Sequence, residues 1–209
     1  MHLNNSPRRA MLMLMLTVFF ATAVAHAQEG RTLFFPCASC HGEDAAGNPV
    51  KSAPNLTGLD ETYFYRQMRR FKDGSRQSHL NAQQMALMAP LYATPERLPK
   101  LFHYLDSLPL KYAPTLISGD PATGNDLYAL YCASCHGLNA DGNPSIGAPR
   151  LRGMSDWHLI SRYKDFRRAK SARSGDIFTS SMAITAQARP LSNQSLADIA
   201  MYLNSGTEG

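Results

Sequence analysis

The chain of 209 residues is long enough for one ordinary domain or for two small ones. Its 18% of charged and 44% of hydrophobic residues exclude a disordered chain and a protein that lies wholly in a membrane. The formal net charge of +5 comes without any long run of Lys and Arg, so this weak basic footprint argues against a nucleic-acid partner.

The first 27 residues have the pattern of a cleavable secretory signal peptide. Arg8 and Arg9 form its positive region, an apolar run covers 10–25, and a small-x-small pattern ends at Ala27. An uncleaved anchor is the alternative, but the run of 16 residues is shorter than the roughly 20 that a spanning helix needs. We therefore predict export to the periplasm with cleavage after Ala27. Without the leader, Lys+Arg falls from 21 to 19 against 16 Asp+Glu, so the net charge falls to +3.

The mature chain repeats itself at a shift of 95 residues. The segment CASCHG at 37–42 returns at 132–137, and the loop APNLTG at 53–58 returns as APRLRG at 148–153. Two copies of one module, each under 100 residues long, therefore fill the mature chain. The predicted division is a signal peptide at 1–27, a first domain at 28–110 and a second domain at 111–209.

Each module is predicted to be all-α, because apolar residues recur at helical spacing and no alternating strand pattern lies between them. A helix capped by Asp60 and a closing helix from Leu98 both have counterparts in the second copy. Pro99 should make that closing helix start late or bend. A helix is predicted at 125–131, whereas only nine residues separate the cleavage site from Cys37, which predicts a clipped helix there. Such modules have thin cores, so another group must fill their centres.

Each module contains one Cys-x-x-Cys-His motif, the attachment pattern of a c-type haem. Two thiols at this spacing reach the two vinyl groups of one porphyrin, and the next imidazole is held where it ligates the iron. A thioredoxin-like dithiol needs a βαβ pattern, which is missing here, and a shared Cys₄ zinc site leaves the two histidines unexplained. We therefore predict two covalent haems c. The predicted ligands are Cys37, Cys40 and His41 in the first copy and Cys132, Cys135 and His136 in the second.

The sixth ligand of each iron is predicted to be a methionine, which suits electron transfer. Met85 and Met182 occupy matching points in the predicted loop before the closing helix, each in a Met-Ala-Leu/Ile-x-Ala context. Met88 competes with Met85 in the first copy, where the second copy has Thr185. The histidines that could serve a bis-histidine site have no partners under the repeat and are interpreted as surface or core residues: His79, His103 and His158.

Two matching prolines, Pro54 and Pro149, lie in the repeated loops. A metal-bound histidine usually donates its second ring N–H to a carbonyl or carboxylate. These loops are the natural source of such carbonyls for His41 and His136. The alternative, that both are plain turn prolines, is equally open from the residues alone.

Through its CASCHG motifs, its APNLTG and APRLRG loops, the FKDGSR segment at 71–76 and the MAxxA segments, the sequence resembles the cytochrome c4 family. The resemblance covers essentially the whole mature chain and implies two tandem class I cytochrome c domains, each wrapped around one covalent haem. It implies His/Met coordination at both irons, which supports Met85 and Met182. It also implies that the carbonyls of Pro54 and Pro149 orient the histidines.

The expected function is that of a periplasmic electron carrier in a respiratory chain, with a cytochrome bc complex and a terminal oxidase among its redox partners. The alternative is the dihaem electron-accepting subunit of a dehydrogenase, such as a flavocytochrome c that oxidises sulfide, which would expose an apolar patch for its catalytic partner. A dihaem peroxidase would need an open or replaceable ligand, so the matched methionines argue against an enzyme. Peripheral contact with a membrane is left open.

Overall fold

The computed structural model describes Met11 and the ranges 28–76, 80–112, 116–168 and 177–205. The predicted signal peptide, apart from Met11, lies outside these residues. They form helices joined by loops, and no helix among them is long and apolar enough to cross a membrane. The helices are α1 (28–41), α2 (Glu61–Lys72), α3 (Leu80–Tyr92), α4 (Leu98–Asp106), α5 (Pro121–Tyr131), α6 (Ala133–His136), α7 (Asp156–Arg168), α8 (Ile177–Ala188) and α9 (Asn193–Asn204), with a 3₁₀ turn at Pro144–Ile146.

The N-terminal helix is present in both copies. In the first copy, the nine residues before Cys37 continue into the motif as one helix that ends at His41, so the expected clipping does not remove the helix. In the second copy the helix begins at Pro121, four residues before the predicted start. The reason is the N-cap Asp120, whose Oδ1 accepts a hydrogen bond from the N–H of Ala122 at 3.0 Å, and proline suits the first turn.

In the first copy, α2 begins where the Asp60 cap predicts, and α4 begins at Leu98 without the late start that was expected from Pro99. Asp60 caps α2, because its Oδ1 accepts from the N–H of Tyr63 at 3.0 Å. The closing helix α4 begins at Leu98 and has Pro99 in its first turn, where the missing N–H removes no helical hydrogen bond. The buried faces follow the predicted spacing: Phe64, Met68 and Phe71 on α2, and Leu98, Leu101, Phe102 and Leu105 on α4.

The two methionine segments are helical, and the prediction of loops there was wrong. Met85 lies in α3 and Met182 lies in α8. The first segment is rich in Ala, Leu, Gln and Met, which are good helix formers, whereas the second has three Ala among Ile, Thr and Ser and is helical without so strong a local preference. Pro90 lies near the end of α3, which closes two residues later.

The first and last helices of each domain cross at a glycine. A Cβ atom on Gly124 of α5 would lie 1.9 Å from the backbone oxygen of Asp198 in α9. A Cβ atom on Gly30 of α1 would lie 2.4 Å from the backbone oxygen of Lys100 in α4. Two helix backbones therefore touch at the same point in both copies, and any side chain there would separate them.

This crossing predicts that Gly124→Ala lowers the free energy of unfolding of the haem-loaded protein by about 2 kcal/mol, because α9 must move to admit the methyl group. Chemical denaturation followed by helical circular dichroism measures the loss. Asn125→Ala, at the exposed neighbouring position of the same helix, is the matched control. Equal stability of the two variants would contradict the close crossing.

The two domains meet along the loops that follow their haem motifs. Asn55 Nδ2 donates to the backbone oxygens of Lys111 at 2.7 Å and Gly153 at 3.0 Å. Thr57 Oγ1 accepts from the N–H of Lys111 at 2.9 Å. Arg66 Nη2 donates to the backbone oxygen of Gly147 at 2.7 Å. The first domain is thus bonded both to the chain that leads out of it and to the second domain.

Candidate haem sites

The motif histidines are buried and oriented by the predicted carbonyls. The Nδ1 atom of His41 lies 2.8 Å from the carbonyl oxygen of Pro54, and that of His136 lies 2.8 Å from the oxygen of Pro149. A carbonyl only accepts, so Nδ1 carries the proton and the Nε2 lone pair is left to bind a metal. Burial lowers the pKa of both imidazoles, and the carbonyl acts in the opposite direction. Both rings are therefore held in the neutral form that ligation needs.

A tight loop brings each proline carbonyl to its histidine. The N–H of Gly47 donates to the oxygen of His41 at 2.8 Å, and an antiparallel bridge joins Asn48 to Ala53. A Cβ on Gly47 would lie 2.7 Å from the backbone nitrogen of Asn55, so only glycine lets the two sides of the loop approach. The second copy repeats the arrangement at Gly142, where a Cβ would lie 2.6 Å from the nitrogen of Arg150.

None of the four motif cysteines is in a disulfide, and their exposure differs. Cys37, Cys40 and Cys132 are part-buried, whereas Cys135 is exposed. Burial raises the pKa of Cys37 and of Cys132 to about 11. Among the described residues, no group of three or more His, Cys, Asp or Glu side chains is arranged to hold a metal ion. The structure therefore does not gather the thiols into the zinc site that was considered as an alternative.

A cavity of about 440 Å³ lies beside the first motif. Its walls include Cys37, Cys40 and His41, together with both Met85 and Met88. The cavity thus gathers every predicted first-copy ligand and also the competing methionine. Buried apolar side chains complete it: Phe34, Phe64, Met68, Phe71, Leu101 and Leu105. An apolar cleft with two thiols in its wall and an oriented imidazole fits a covalently held haem.

The second domain divides its core into two clusters. One is centred on the buried Tyr128 and Ile199, and Cys132 packs against it. The other is formed by Tyr163, Ala186 and Leu196, and Met182 packs against it. Leu191 packs against both clusters and therefore joins the side of Cys132 to the side of Met182.

Other candidate residues lie in different places. His103 is exposed on α4, and His79 lies outside the described residues. His158, interpreted from the sequence as an ordinary surface or core histidine, lines the first-domain cavity although it belongs to the second domain. Four arginines that the sequence did not assign to a site also line that cavity: Arg76, Arg150, Arg152 and Arg162. Arg76 closes the FKDGSR segment, and Arg150 and Arg152 lie in the repeated APRLRG loop, whereas Arg162 lies in none of the quoted motifs.

The two first-domain methionines can be distinguished by substitution. Met85 and Met88 are three residues apart in α3 and share one helical side, which explains why both reach the cavity. We expect Met85→Ala to abolish the Met–iron charge-transfer band of one haem in the ferric spectrum, and Met88→Ala to leave both bands. Haem attachment should survive in both variants because the thiols and His41 are intact. Two retained bands in Met85→Ala would instead assign Met88 as the ligand.

The chain is similar in sequence to known cytochromes c. A family model described as cytochrome c matches residues 27–109 and again 121–207. Cytochrome c4 of Azotobacter vinelandii is 27% identical over 215 residues, which cover 93% of this chain and 97% of that protein. The thiosulfate dehydrogenase electron acceptor of Thiomonas intermedia (strain K12) is 32% identical over 152 residues, or 67% of this chain and 65% of that protein.

Among solved structures, reduced recombinant cytochrome c4 from Pseudomonas stutzeri superposes on this chain with a TM-score of 0.64. The superposition covers 85% of this chain and 97% of that one, at 24% sequence identity. At this identity the likeness concerns the fold. It extends across both repeats and therefore includes the tandem arrangement of the two domains.

Proposed function

The chain belongs to the cytochrome c family, and on this premise we propose that it is a diffusible carrier that moves electrons between respiratory complexes in the periplasm. It has two tandem cytochrome c domains with two covalent haems c, and it is an electron carrier of the cytochrome c4 kind, not an enzyme. The observation that carries the proposal is the duplicated site, in which each motif histidine bonds to its own proline carbonyl at 2.8 Å. Our proposed domain limits are 28–110 and 111–209.

We propose that the site residues keep the same positions before and after electron transfer. When bound, the haem supplies an iron that takes up one electron as Fe(III) becomes Fe(II) and later releases it, with no bond made or broken. The carbonyls of Pro54 and Pro149 keep the imidazoles neutral and fixed, so His41 and His136 exchange no proton. The remaining proposed ligands are the four motif thiols, which anchor the group, and Met85 and Met182, whose thioethers favour a high reduction potential.

Electron exchange requires redox partner proteins, and we propose a cytochrome bc complex as donor and a terminal oxidase as acceptor. Two exposed apolar residues beside the motifs support docking of a partner there. Phe35 and Leu130 each lie two residues before the first thiol of their copy, and they are 80% and 65% exposed. Exposed apolar side chains beside a redox group suit brief docking by a partner. We also propose that such docking brings the carrier to the membrane surface only peripherally.

A dehydrogenase subunit is the second candidate, and a separate pair of exposed residues favours it. Leu87 and Ile184 are 77% and 59% exposed at matching positions, each two residues after the proposed methionine ligand. A permanent catalytic partner would cover such side chains. The relative from Thiomonas intermedia, a thiosulfate dehydrogenase electron acceptor by name, agrees with this alternative.

Purification from native membranes and periplasm separates the two candidates. The carrier is expected to elute without a fixed partner, to be reduced by membranes that contain a quinol-oxidising bc complex, and to be oxidised by membranes with a terminal oxidase. Met182→Ala should weaken both exchanges, because the loss of the thioether alters the potential of one haem. Co-purification in a constant ratio with a flavoprotein or another dehydrogenase would favour the subunit over the carrier.

Export is tested by the intact mass of the periplasmic protein. We expect a chain that begins at Gln28 and carries the added mass of two haems, since small residues at 25 and 27 suit the processing enzyme. Ala27→Phe should block cleavage and retain the leader, whereas Gln28→Ala is the matched control that should be processed normally. A haem-loaded wild-type protein that keeps residues 1–27 in the membrane fraction would contradict the prediction.

A further inference from the structure

The helix α8, which carries the proposed ligand Met182, has a weak local preference for helical structure. Ile, Thr and Ser make up six of its 12 residues. Branched side chains lose rotamer freedom in a helix, and serine hydroxyls compete for the backbone. In the matching helix α3, ten of the 13 residues are Ala, Leu, Gln or Met, which favour a helix. The position of α8 therefore depends more on contacts with neighbouring elements.

The side chain of Tyr163 ties the end of α8 to α7. Its hydroxyl donates to the backbone oxygen of Arg189, the first residue after α8, and accepts from the N–H of Leu191 at 3.4 Å. Tyr163 is only 9% exposed, and burial raises its pKa, so the hydroxyl keeps its proton and donates it. Two backbone groups at the point where the chain leaves α8 thus obtain a partner from one buried side chain.

Tyr163 also belongs to the apolar cluster around the proposed methionine ligand. It forms this cluster with Ala186 and Leu196, and Met182 packs against it. Ala186 lies four residues after Met182, so both residues lie on the same side of α8. Leu191, whose N–H bonds to the hydroxyl of Tyr163, packs against the same cluster. The bonds at the end of α8 are therefore part of the surroundings of Met182.

The first copy ties its methionine helix in a different way. The repeat aligns Tyr163 with Met68, which has no hydroxyl. The backbone oxygen of Ala93, the first residue after α3, accepts instead from Lys72 Nζ at 3.0 Å. Both copies thus bond the carbonyl that follows the methionine helix. Only the second copy does so with a buried hydroxyl, and there the helix has the weaker local preference.

We propose that Tyr163 is a positioning residue for Met182 and that its hydroxyl determines how firmly the second-domain iron keeps its thioether ligand. Tyr163 acts through α8, because its two hydrogen bonds fix the end of the helix that carries Met182. Without these bonds the helix shifts more easily, and a small donor molecule displaces the thioether at lower concentration. This inference rests on the ligand role of Met182 in the proposed function, but not on the identity of the partner proteins.

Tyr163→Phe in the full, haem-loaded chain tests this role, with imidazole as the competing ligand. Phenylalanine fills nearly the same space, so the fold and both attached haems should be retained. The imidazole concentration that displaces half of the second-domain methionine from ferric iron should fall about tenfold, because two backbone groups lose their partner. The corresponding concentration for the first-domain haem should not change, since α3 has its own tie through Lys72.

The Met–iron charge-transfer bands follow the displacement of both methionines. NMR signals of the bound methionine methyl groups, assigned with Met85→Ala and Met182→Ala, distinguish the two haems. A purely structural role of Tyr163 would lower the free energy of unfolding but would not make the second-domain methionine easier to displace in the folded protein. Chemical denaturation of Tyr163→Phe, followed by circular dichroism, measures that free energy separately.

Tyr202→Phe provides the control for the loss of a hydroxyl in the second domain. Tyr202 lies in α9 and packs against the other apolar cluster, and its hydroxyl makes no hydrogen bond within the described ranges. The proposal is overturned if Tyr163→Phe lowers the second-domain imidazole midpoint no more than Tyr202→Phe does, or if both haems become equally easy to displace. Either result would leave the carrier function intact, and failed partner assays would leave the role of Tyr163 intact. If Met182→Ala removes no methionine signal, both the ligand role and this inference are wrong.

Discussion

The hydrogen bond from a motif histidine to a proline carbonyl is the constraint on which the rest of the structure depends. It joins the end of a helix to a loop thirteen residues further along the chain, at 2.8 Å in both copies. To make it, the chain must turn back at once, and Gly47 and Gly142 allow this because no side chain fits between the two sides of the loop. The same bond leaves Nε2 of each buried histidine available to a ligand that can replace the core that so short a chain cannot build.

The loops that orient the histidines also join the two domains. Asn55, the residue after Pro54, bonds to the oxygens of Lys111 and Gly153. Arg150, the residue after Pro149, faces the first domain, and a Cβ on Gly58 would lie 2.8 Å from its Nη1 atom. The two matching loops therefore contact each other across the junction, each through the residue that follows its proline. A movement of one domain relative to the other would therefore displace the loops that hold the iron-binding imidazoles.

Local signals made much of this fold predictable, and non-local packing explains the rest. The motif spacing and the Asp60 cap act within a few residues, so they indicate the thiols, the histidines and the start of α2. The prediction of methionine loops failed in the first copy because the Ala- and Leu-rich segment around Met85 has a strong helix preference, which repeat matching does not weigh. The segment around Met182 has no Leu and is helical without such a preference. The contribution of Arg162 to the first-domain cavity depends on how the domains dock, which no short pattern encodes. The proposed axial roles of the methionines are still predictions.

Duplication produces two equal motifs, but the junction makes their surroundings unequal. The first cavity has two methionines on one helical side, whereas the second copy has Thr185 at the place of Met88, and its hydroxyl bonds back to the oxygen of Ser181 within α8. The first cavity also receives arginines from its neighbour. Charge and ligand environment are the terms through which a protein sets a haem potential. Two copies of one sequence motif can therefore hold electrons with different affinity, because the copies differ in their methionine helices and in the side chains that one domain presents to the other.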